Sequence, residues 1–290
     1  MFKYVVQLNT IYIKIYSYIN CQRNVIMECS VIKKPSKKEL FVLNLIARYD
    51  YITSDNLIHL IANPSNRTRF IRKMESEKYV HCHTLSPRKN IWYLTNEGKV
   101  ILRDQKESLD YSFTIDDFDE VTMNHTSGLA NIEMRYLQRK AENIYCKKYY
   151  CEKELYSKFN SSELTKNGSI YARIPDAMFE FYIAKRDKIF NMAIELELNM
   201  KSKKRYFGIF HFYRDYMTIN RVYWICKDDG LKRRLVDIFT SLYQRSENEL
   251  NLNISGNEER LVRARELNYF IDYKTFMKEG FSSAKNIAEV

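Results

Sequence analysis

The apolar run IFNMAIELEL, at residues 189–198, is the feature that most restricts how this chain can fold. Two glutamates, Glu195 and Glu197, stand two residues apart within it. Successive side chains of a strand point to opposite faces, so both glutamates are predicted on one face and the intervening aliphatic residues on the other, in a core. The segment 188–200 is therefore predicted to be a largely buried strand.

A third carboxylate belongs to the preceding predicted strand, residues 173–183, where Asp176 follows Pro175. A hairpin between these strands would bring Asp176 to the glutamates at one edge of a sheet. Like charges packed together repel and are costly unless something compensates them, and a divalent cation is the usual compensation. Asp176, Glu195 and Glu197 are therefore candidate ligands for Mg²⁺, or Mn²⁺, at a site that acts on a phosphodiester.

The charge balance favours an acidic polymer as the partner. Among 290 residues, 47 are Lys or Arg and 36 are Asp or Glu, which gives a net charge of +11 and an isoelectric point near 9.2. Nucleic acid is the first candidate, and a basic protein without such a partner is the alternative. The length suits one large domain or two medium ones.

The cysteines and the amino-terminal segment bear on location. None of the 6 cysteines forms a CxxC pair, which favours reduced thiols in the cytoplasm over a disulfide framework. Residues 1–35 are predicted to be a leader, in which the Tyr-rich stretch is too short and too polar to cross a membrane. Residues 1–26 are predicted to be disordered or a mis-assigned start before Met27, with an additional packed strand as the alternative.

The region 36–105 has the pattern of three helices followed by a hairpin. Ser36 is a plausible N-cap for the first helix, and the second starts behind Thr53. The third helix, residues 65–80, is predicted to turn its apolar side chains inward and its cations outward. Two strand-like runs follow, at 79–85 and 90–94, with a basic turn between them.

This order resembles the winged helix-turn-helix family, and the pattern Leu94-Thr95-x-x-Gly98 after the hairpin strengthens the resemblance. The resemblance implies binding of double-stranded DNA, with the third helix in the major groove and the hairpin tip on phosphates. Alternatively, the cations only solvate a helix face and the hairpin contacts another protein. The candidate DNA-binding residues are the cations of the third helix and of the tip: Arg67, Arg69, Arg72, Lys73, Arg88 and Lys89.

An acidic connector, residues 106–123, is predicted to lead into a second domain at 124–280, with a tail at 281–290. Beyond the two strands already described, this domain is predicted to contain helices at 124–145, 203–217 and 230–247 and strands at 148–157, 221–227 and 267–276. The order of its helices and strands, with Pro-Asp on one strand and Glu-x-acid on the next, resembles that of the PD-(D/E)xK nuclease superfamily.

Residues 36–277 together resemble the replication-relaxation family of plasmid and mobile-element proteins, which are similar to the mobilisation proteins called MobC. The residues that carry this resemblance are His125, Pro175, Asp176, Glu195 and Glu197. The resemblance implies an α/β (α+β) fold, in which a winged helix precedes a mixed sheet flanked by helices. The partners it implies are double-stranded DNA, a relaxase or other mobilisation protein, and a second copy in a homodimer.

Glu197 stands where the nuclease superfamily has a lysine, and this leaves two functions open. In one, the chain is a Mg²⁺-dependent DNA endonuclease or nickase with the catalytic residues Asp176, Glu195, Glu197 and Lys201, the last supplying the amine if the strand continues to it. In the other, it is a catalytically inactive DNA-binding accessory protein or regulator. A defence nuclease is a third hypothesis.

Two contacts distinguish the first two hypotheses. Carboxylates that meet within about 4–5 Å of a common point would support a metal site, whereas a salt bridge from Arg173 or Lys201 at that point would support an inactive scaffold. Glu133 is either a further metal-site acid or a solvated helix residue. His125 is expected to open the second-domain helix, where it either contacts DNA, assists at the site, or is a structural histidine.

Overall fold

The computed structural model describes residues 33–87, 89–104, 111, 113–138, 145–159, 174–183, 187–215, 218–251 and 266–286. The chain divides into two compact units, Met1–Phe41 and Val42–Val290. Outside the described residues lie residues 1–32 of the predicted leader, the cations Arg88 and Arg173, and part of the acidic connector. The predicted boundary between two domains within residues 106–123 stays a prediction.

The first region combines helices with a small antiparallel sheet. Its elements are α1 (Lys37–Tyr49), β1 (Ile52–Thr53), a 3₁₀ segment (Ser54–Leu57), α2 (Pro64–Ser76), β2 (Val80–Ser86), β3 (Lys89–Leu94) and α3 (Asn96–Asp104). The sheet order is β1-β3-β2, and both pairings are antiparallel. The second of the three predicted helices is thus only a short 3₁₀ segment.

Local side-chain contacts explain where these helices begin. Ser36 and Glu39 form a reciprocal capping box, with Ser36 N donating to Glu39 Oε2 at 2.7 Å and Glu39 N donating to Ser36 Oγ at 3.3 Å. Asn63 caps α2 through its side chain, and Pro64 occupies the first turn, where its missing N–H costs nothing.

The turn into α3 depends on Thr95 and Gly98. Thr95 Oγ1 donates to Tyr79 O at 3.1 Å and accepts from Gly98 N at 3.1 Å. A Cβ atom at Gly98 would lie 2.2 Å from Tyr79 O, so only glycine lets the start of α3 approach the strand this closely. This contact is the physical reason for the Leu-Thr-x-x-Gly pattern.

The second region is built on a six-stranded mixed sheet. Its elements are a 3₁₀ segment (Ile115–Asp117), α4 (Glu120–Gln138), β4 (Tyr145–Cys151), α5 (Glu152–Phe159), β5 (Ala177–Ile183), β6 (Lys188–Glu197), α6 (Lys203–Asp215), β7 (Arg221–Cys226), α7 (Asp229–Asn251), β8 (Asn268–Asp272), α8 (Tyr273–Glu279), a 3₁₀ segment (Phe281–Ser283) and β9 (Lys285–Asn286). The strand order is β4-β5-β6-β7-β8-β9. The pairs β6-β7 and β7-β8 are parallel, and the other pairs are antiparallel.

Helices cover both faces of this sheet, which makes the fold mixed α+β. On one face α6 and α7 pack on a buried aromatic cluster that includes Tyr206, Phe210, Trp224 and Phe239. On the other face α4 comes so close that a Cβ atom at Gly128 would lie 2.7 Å from Leu196 Cδ2. Within the described residues, no helix has both the length and the apolar character needed to cross a membrane.

Two predicted strands end early because a side chain caps a helix. The strand predicted at 148–157 stops at Cys151, whose N–H donates to Glu154 Oε2 at 2.9 Å as α5 begins. The strand predicted at 267–276 stops at Asp272, which accepts from Thr275 N at 2.9 Å and starts α8. The sequence showed the apolar residues but not these caps.

Candidate functional site

A cleft of about 1020 Å³ lies where β6 ends and α6 begins. Three of the four predicted catalytic residues line it: Asp176, Glu197 and Lys201. His125 from α4 and Tyr156 from α5 also line it. The structure therefore brings most of the predicted site residues to one place.

Asp176 is held by the backbone of β6 and by His125. Its Oδ2 atom accepts a hydrogen bond from Leu196 N at 2.7 Å and lies 3.2 Å from His125 Nε2. Burial acts to lower the pKa of His125, but the hydrogen bond and charge of Asp176 raise it above its ordinary value. Burial acts to raise the pKa of Asp176, but His125 and Lys201 bring it below its ordinary value. The two groups therefore stabilise each other's charged forms.

The prediction that His125 opens the helix is wrong, because α4 begins at Glu120. It lies in the second turn, directly before the close packing of Gly128 on Leu196. This close approach brings the imidazole to the carboxylate of Asp176.

Glu197 is held by Lys201 and Tyr206. Lys201 Nζ donates to Glu197 Oε1 at 2.5 Å, and the hydroxyl of Tyr206 donates to Oε2 at 3.3 Å. The Glu197 side chain is 1% exposed, whereas Lys201 is 22% exposed. The strand predicted at 188–200 does not continue to Lys201, because β6 ends at Glu197 and the chain bends at residues 198–199. Lys201 reaches Glu197 by turning back.

Glu195 lies apart from the cleft. Like Glu197 it is fully buried, and it accepts a hydrogen bond from the hydroxyl of Tyr213 on α6. Both glutamates contact tyrosines of the same helix, so they share one face of β6 as the period-two pattern predicts. That face is covered by α6, and only Glu197 reaches the cleft.

These contacts do not fit a three-carboxylate site for Mg²⁺ or Mn²⁺. Among the described residues, no three His, Cys, Asp or Glu side chains are grouped so that they could hold a metal ion. Asp176 faces His125, Glu197 faces Lys201, and Glu195 is bonded to Tyr213. The divalent cofactor stays a prediction, and the metal would have to displace contacts that already exist.

The predicted DNA-binding cations of α2 fall into two groups. Arg69, Arg72 and Lys73 are exposed, as predicted. Arg67 is buried, and its Nη1 atom donates to Ile61 O at 3.2 Å and Ala62 O at 2.9 Å. Its predicted outward position is wrong, because its guanidinium satisfies two carbonyls of the turn before the helix.

Lys89 of the hairpin is half-exposed, and its Nζ atom lies 3.2 Å from Glu120 Oε1. The Glu120 side chain is well exposed, and an ion pair of this kind contributes little and is easily exchanged for another partner. Lys89 therefore remains able to contact a ligand.

A buried ionic cluster joins the end of α1 to α4. Glu133 is fully buried and accepts a hydrogen bond from Arg48, and Arg48 Nη2 also lies 3.6 Å from Glu154 Oε1. Burial raises the pKa of Glu133 to about 7, against the lowering effect of Arg48. Beside them the hydroxyls of Tyr49 and Tyr149 are hydrogen-bonded. Glu133 is thus not a solvated helix residue, and it lies outside the cleft lining.

The sequence analysis did not identify the side chains that hydrogen-bond to the buried glutamates. Tyr206 and Tyr213 are seven residues apart on α6, a spacing that places both on one helix face. This spacing was the available signal that the two tyrosines act together. Nothing in the local sequence, however, indicates that their face of α6 lies over β6. Arg48, 85 positions before Glu133, had no such signal.

Comparison with known proteins yields no relative for this chain. No family model matches it, and no curated protein or solved structure is significantly similar to it. What the chain does must therefore be inferred from its own residues.

Proposed function

We propose that this chain is a double-stranded DNA-binding protein that joins a winged helix to a catalytically inactive, nuclease-like scaffold. The order of α1, β1, the 3₁₀ segment, α2 and the β2–β3 hairpin supports the winged-helix interpretation. A role in plasmid replication or mobilisation follows only from the resemblance to the replication-relaxation family.

The exposed cations of α2 carry the proposal. Arg69, Arg72 and Lys73 stand three and four residues apart, so they form one continuous strip on the helix surface. The opposite side of α2 buries Ile71 and Met74 in the core. A helix anchored on one side and cationic on the other has the surface that phosphate contact requires.

Titration of a fluorescent duplex of about 20 base pairs tests the proposal, with salt varied between about 0.05 and 0.2 M. If the three exposed cations of α2 contact phosphates, log K should fall against log salt with a slope of roughly −2.7. A slope near zero, or no binding at the lowest salt concentration, would contradict it.

The second region supports the scaffold half of the proposal. The antiparallel strands β4, β5 and β6, followed by α6 and the parallel strand β7, have the connectivity that the resemblance to nucleases implies. Two basic side chains of the chain itself, His125 and Lys201, pair with Asp176 and Glu197 in the cleft. This is the arrangement expected when a former metal site no longer needs its metal.

The second candidate is a Mg²⁺-dependent DNA endonuclease or nickase. One observation favours it: Asp176, Glu197 and Lys201 line a single cleft although they come from separate segments. Since the described carboxylates already have partners, this candidate requires Lys201 or His125 to move away when DNA or metal binds.

Thermal unfolding with Mg²⁺ or Mn²⁺ separates these candidates. We expect no metal-dependent change in the wild-type midpoint and no nicking of supercoiled plasmid. Lys201→Met should release Glu197, and metal at about ten times its Kd should then raise the midpoint by roughly 3–6 °C, equivalent to about 1.4 kcal/mol.

Lys188→Met is the matched control, since Lys188 is an exposed lysine at the start of β6 and is not part of the cleft. A metal-dependent midpoint in the wild type, together with cleavage that Asp176→Asn abolishes, would establish the endonuclease instead.

A further inference from the structure

The outer wall of the cleft combines aromatic and cationic side chains. Tyr156 on α5 is 49% exposed and lines the cleft. The helix α6 contributes Lys204, Arg205 and the half-buried ring of Phe207 to the same lining. A cleft lined by an exposed ring and two exposed cations can contact a flat apolar group and an anion at the same time.

The charges of the cleft leave these two cations available. Lys201 and His125 are paired with Glu197 and Asp176, and the remaining carboxylate of the lining, Glu152, raises the pKa of His125. Neither Lys204 nor Arg205 makes a side-chain ion pair with any other described residue.

The start of α6 adds to the positive potential at this point. The first turn of the helix contains no acidic residue, and the positive end of a helix dipole favours an anion. The rim formed by Lys204, Arg205 and the start of α6 is therefore suited to a phosphate.

The cleft has the size and chemistry for one unpaired nucleotide. Its volume of about 1020 Å³ lies at the upper end of the range for small-ligand sites. A base within an intact duplex has its faces covered by its neighbours, whereas an unpaired base can stack on an aromatic ring while cations bind its phosphate.

We infer that this cleft binds an unpaired nucleotide of a nucleic-acid strand, with the base stacked on Tyr156 and the phosphate at Lys204 and Arg205. Binding needs no metal, since Asp176 and Glu197 already pair with His125 and Lys201. The inference rests on the proposed DNA-binding function, in which α2 holds the duplex and the cleft takes a strand that has separated from it.

Fluorescence anisotropy in the presence of EDTA tests the stacking contact, with labelled oligothymidylate and oligouridylate of about 12 nucleotides as probes. Tyr156→Ala should weaken binding roughly 5- to 150-fold, and Tyr156→Phe, which keeps the ring, should restore it. Tyr182→Ala is the matched control, because Tyr182 is an exposed tyrosine on β5 that does not line the cleft. The probe that binds with higher affinity, oligothymidylate or oligouridylate, identifies the bound strand as DNA or RNA.

Lys204→Ala/Arg205→Ala tests the phosphate contact. It should make the salt slope for single strands shallower by roughly 1.4. Lys188→Ala/Lys274→Ala removes two exposed lysines outside the cleft and should leave the slope unchanged. All of these side chains are exposed, so an unchanged thermal midpoint verifies that each variant is folded.

A parallel titration with duplex DNA separates the two proposals. Duplex binding without single-strand binding, or single-strand binding that Tyr156→Ala and Lys204→Ala/Arg205→Ala leave unchanged, overturns the inference alone. Single-strand binding that depends on these residues, in a chain that does not bind duplex, supports the cleft and overturns the proposed duplex function. Binding to neither probe overturns both.

Discussion

Arg48→Met is expected to lower the free energy of unfolding by about 3–5 kcal/mol, because it leaves the carboxylate of Glu133 buried without its cation. For a chain of this size the thermal midpoint should fall by roughly 6–20 °C. Urea or thermal unfolding near pH 8 measures the change, since in the wild type Glu133, whose pKa beside Arg48 is about 7, is then mostly ionised.

The pH dependence of this contact has a defined sign. The pKa of Glu133 is raised from 4.5 to about 7, so between these values the native state keeps a proton that the unfolded state has lost. Stability therefore falls as the pH rises through this window and levels off above it. Glu133→Gln should remove this part of the pH profile.

Two variants control for effects unrelated to the ion pair. Arg103→Met changes an exposed arginine of α3 and should shift the free energy of unfolding by less than about 0.5 kcal/mol. Arg48→Met/Glu133→Gln should recover part of the loss, because the unpaired charge is gone. If Arg48→Met costs no more than Arg103→Met, the buried pair does not stabilise the fold.

Arg69→Glu/Arg72→Glu is expected to weaken duplex binding roughly a hundredfold at moderate salt, by replacing two favourable phosphate contacts with repulsion. The slope of log K against log salt should become shallower by about 1.8, which is the contribution of two contacts. Both side chains are exposed on α2, so the fold should tolerate the change.

Arg233→Glu/Arg234→Glu is the matched control, since it reverses two exposed arginines on α7 in the second region. It changes the net charge of the chain by the same amount, so it separates a local contact from a general electrostatic effect. Equal losses of affinity in the two double variants would show that α2 has no special role. Unchanged affinity after reversal at Arg69 and Arg72 would favour a protein partner for this region.

The elements around the carboxylates were largely predictable. The strand β6, its hairpin with β5, the helix α6 and the strand β7 lie within a few residues of their predicted limits. Each is a run of apolar residues with a period that its own backbone geometry imposes, and such runs are visible in one sequence. The strands predicted at 148–157 and 267–276 were too long, because each ends where a side chain caps the next helix. The neighbouring apolar residues fit a strand pattern, so these caps were not recognised in the sequence.

The candidate site was predictable as a set of residues but not as a set of contacts. Asp176, Glu197 and Lys201 were identified from the sequence, and all line the cleft. The separation of Glu195 from that cleft was not predictable, because the period of a strand shows which side chains share a face but not which helix covers that face.

The sequence by itself determined which residues alternate and that the chain carries an excess of positive charge. The alternation depends on neighbours within a few positions and the charge on composition alone, so neither requires the tertiary structure. Only the tertiary structure decided the partners of the buried charges. Glu133 meets Arg48 across 85 positions, and Asp176 meets His125 across 51. A buried charge must be paired, but its partner is whichever opposite charge the packing of distant elements brings within reach.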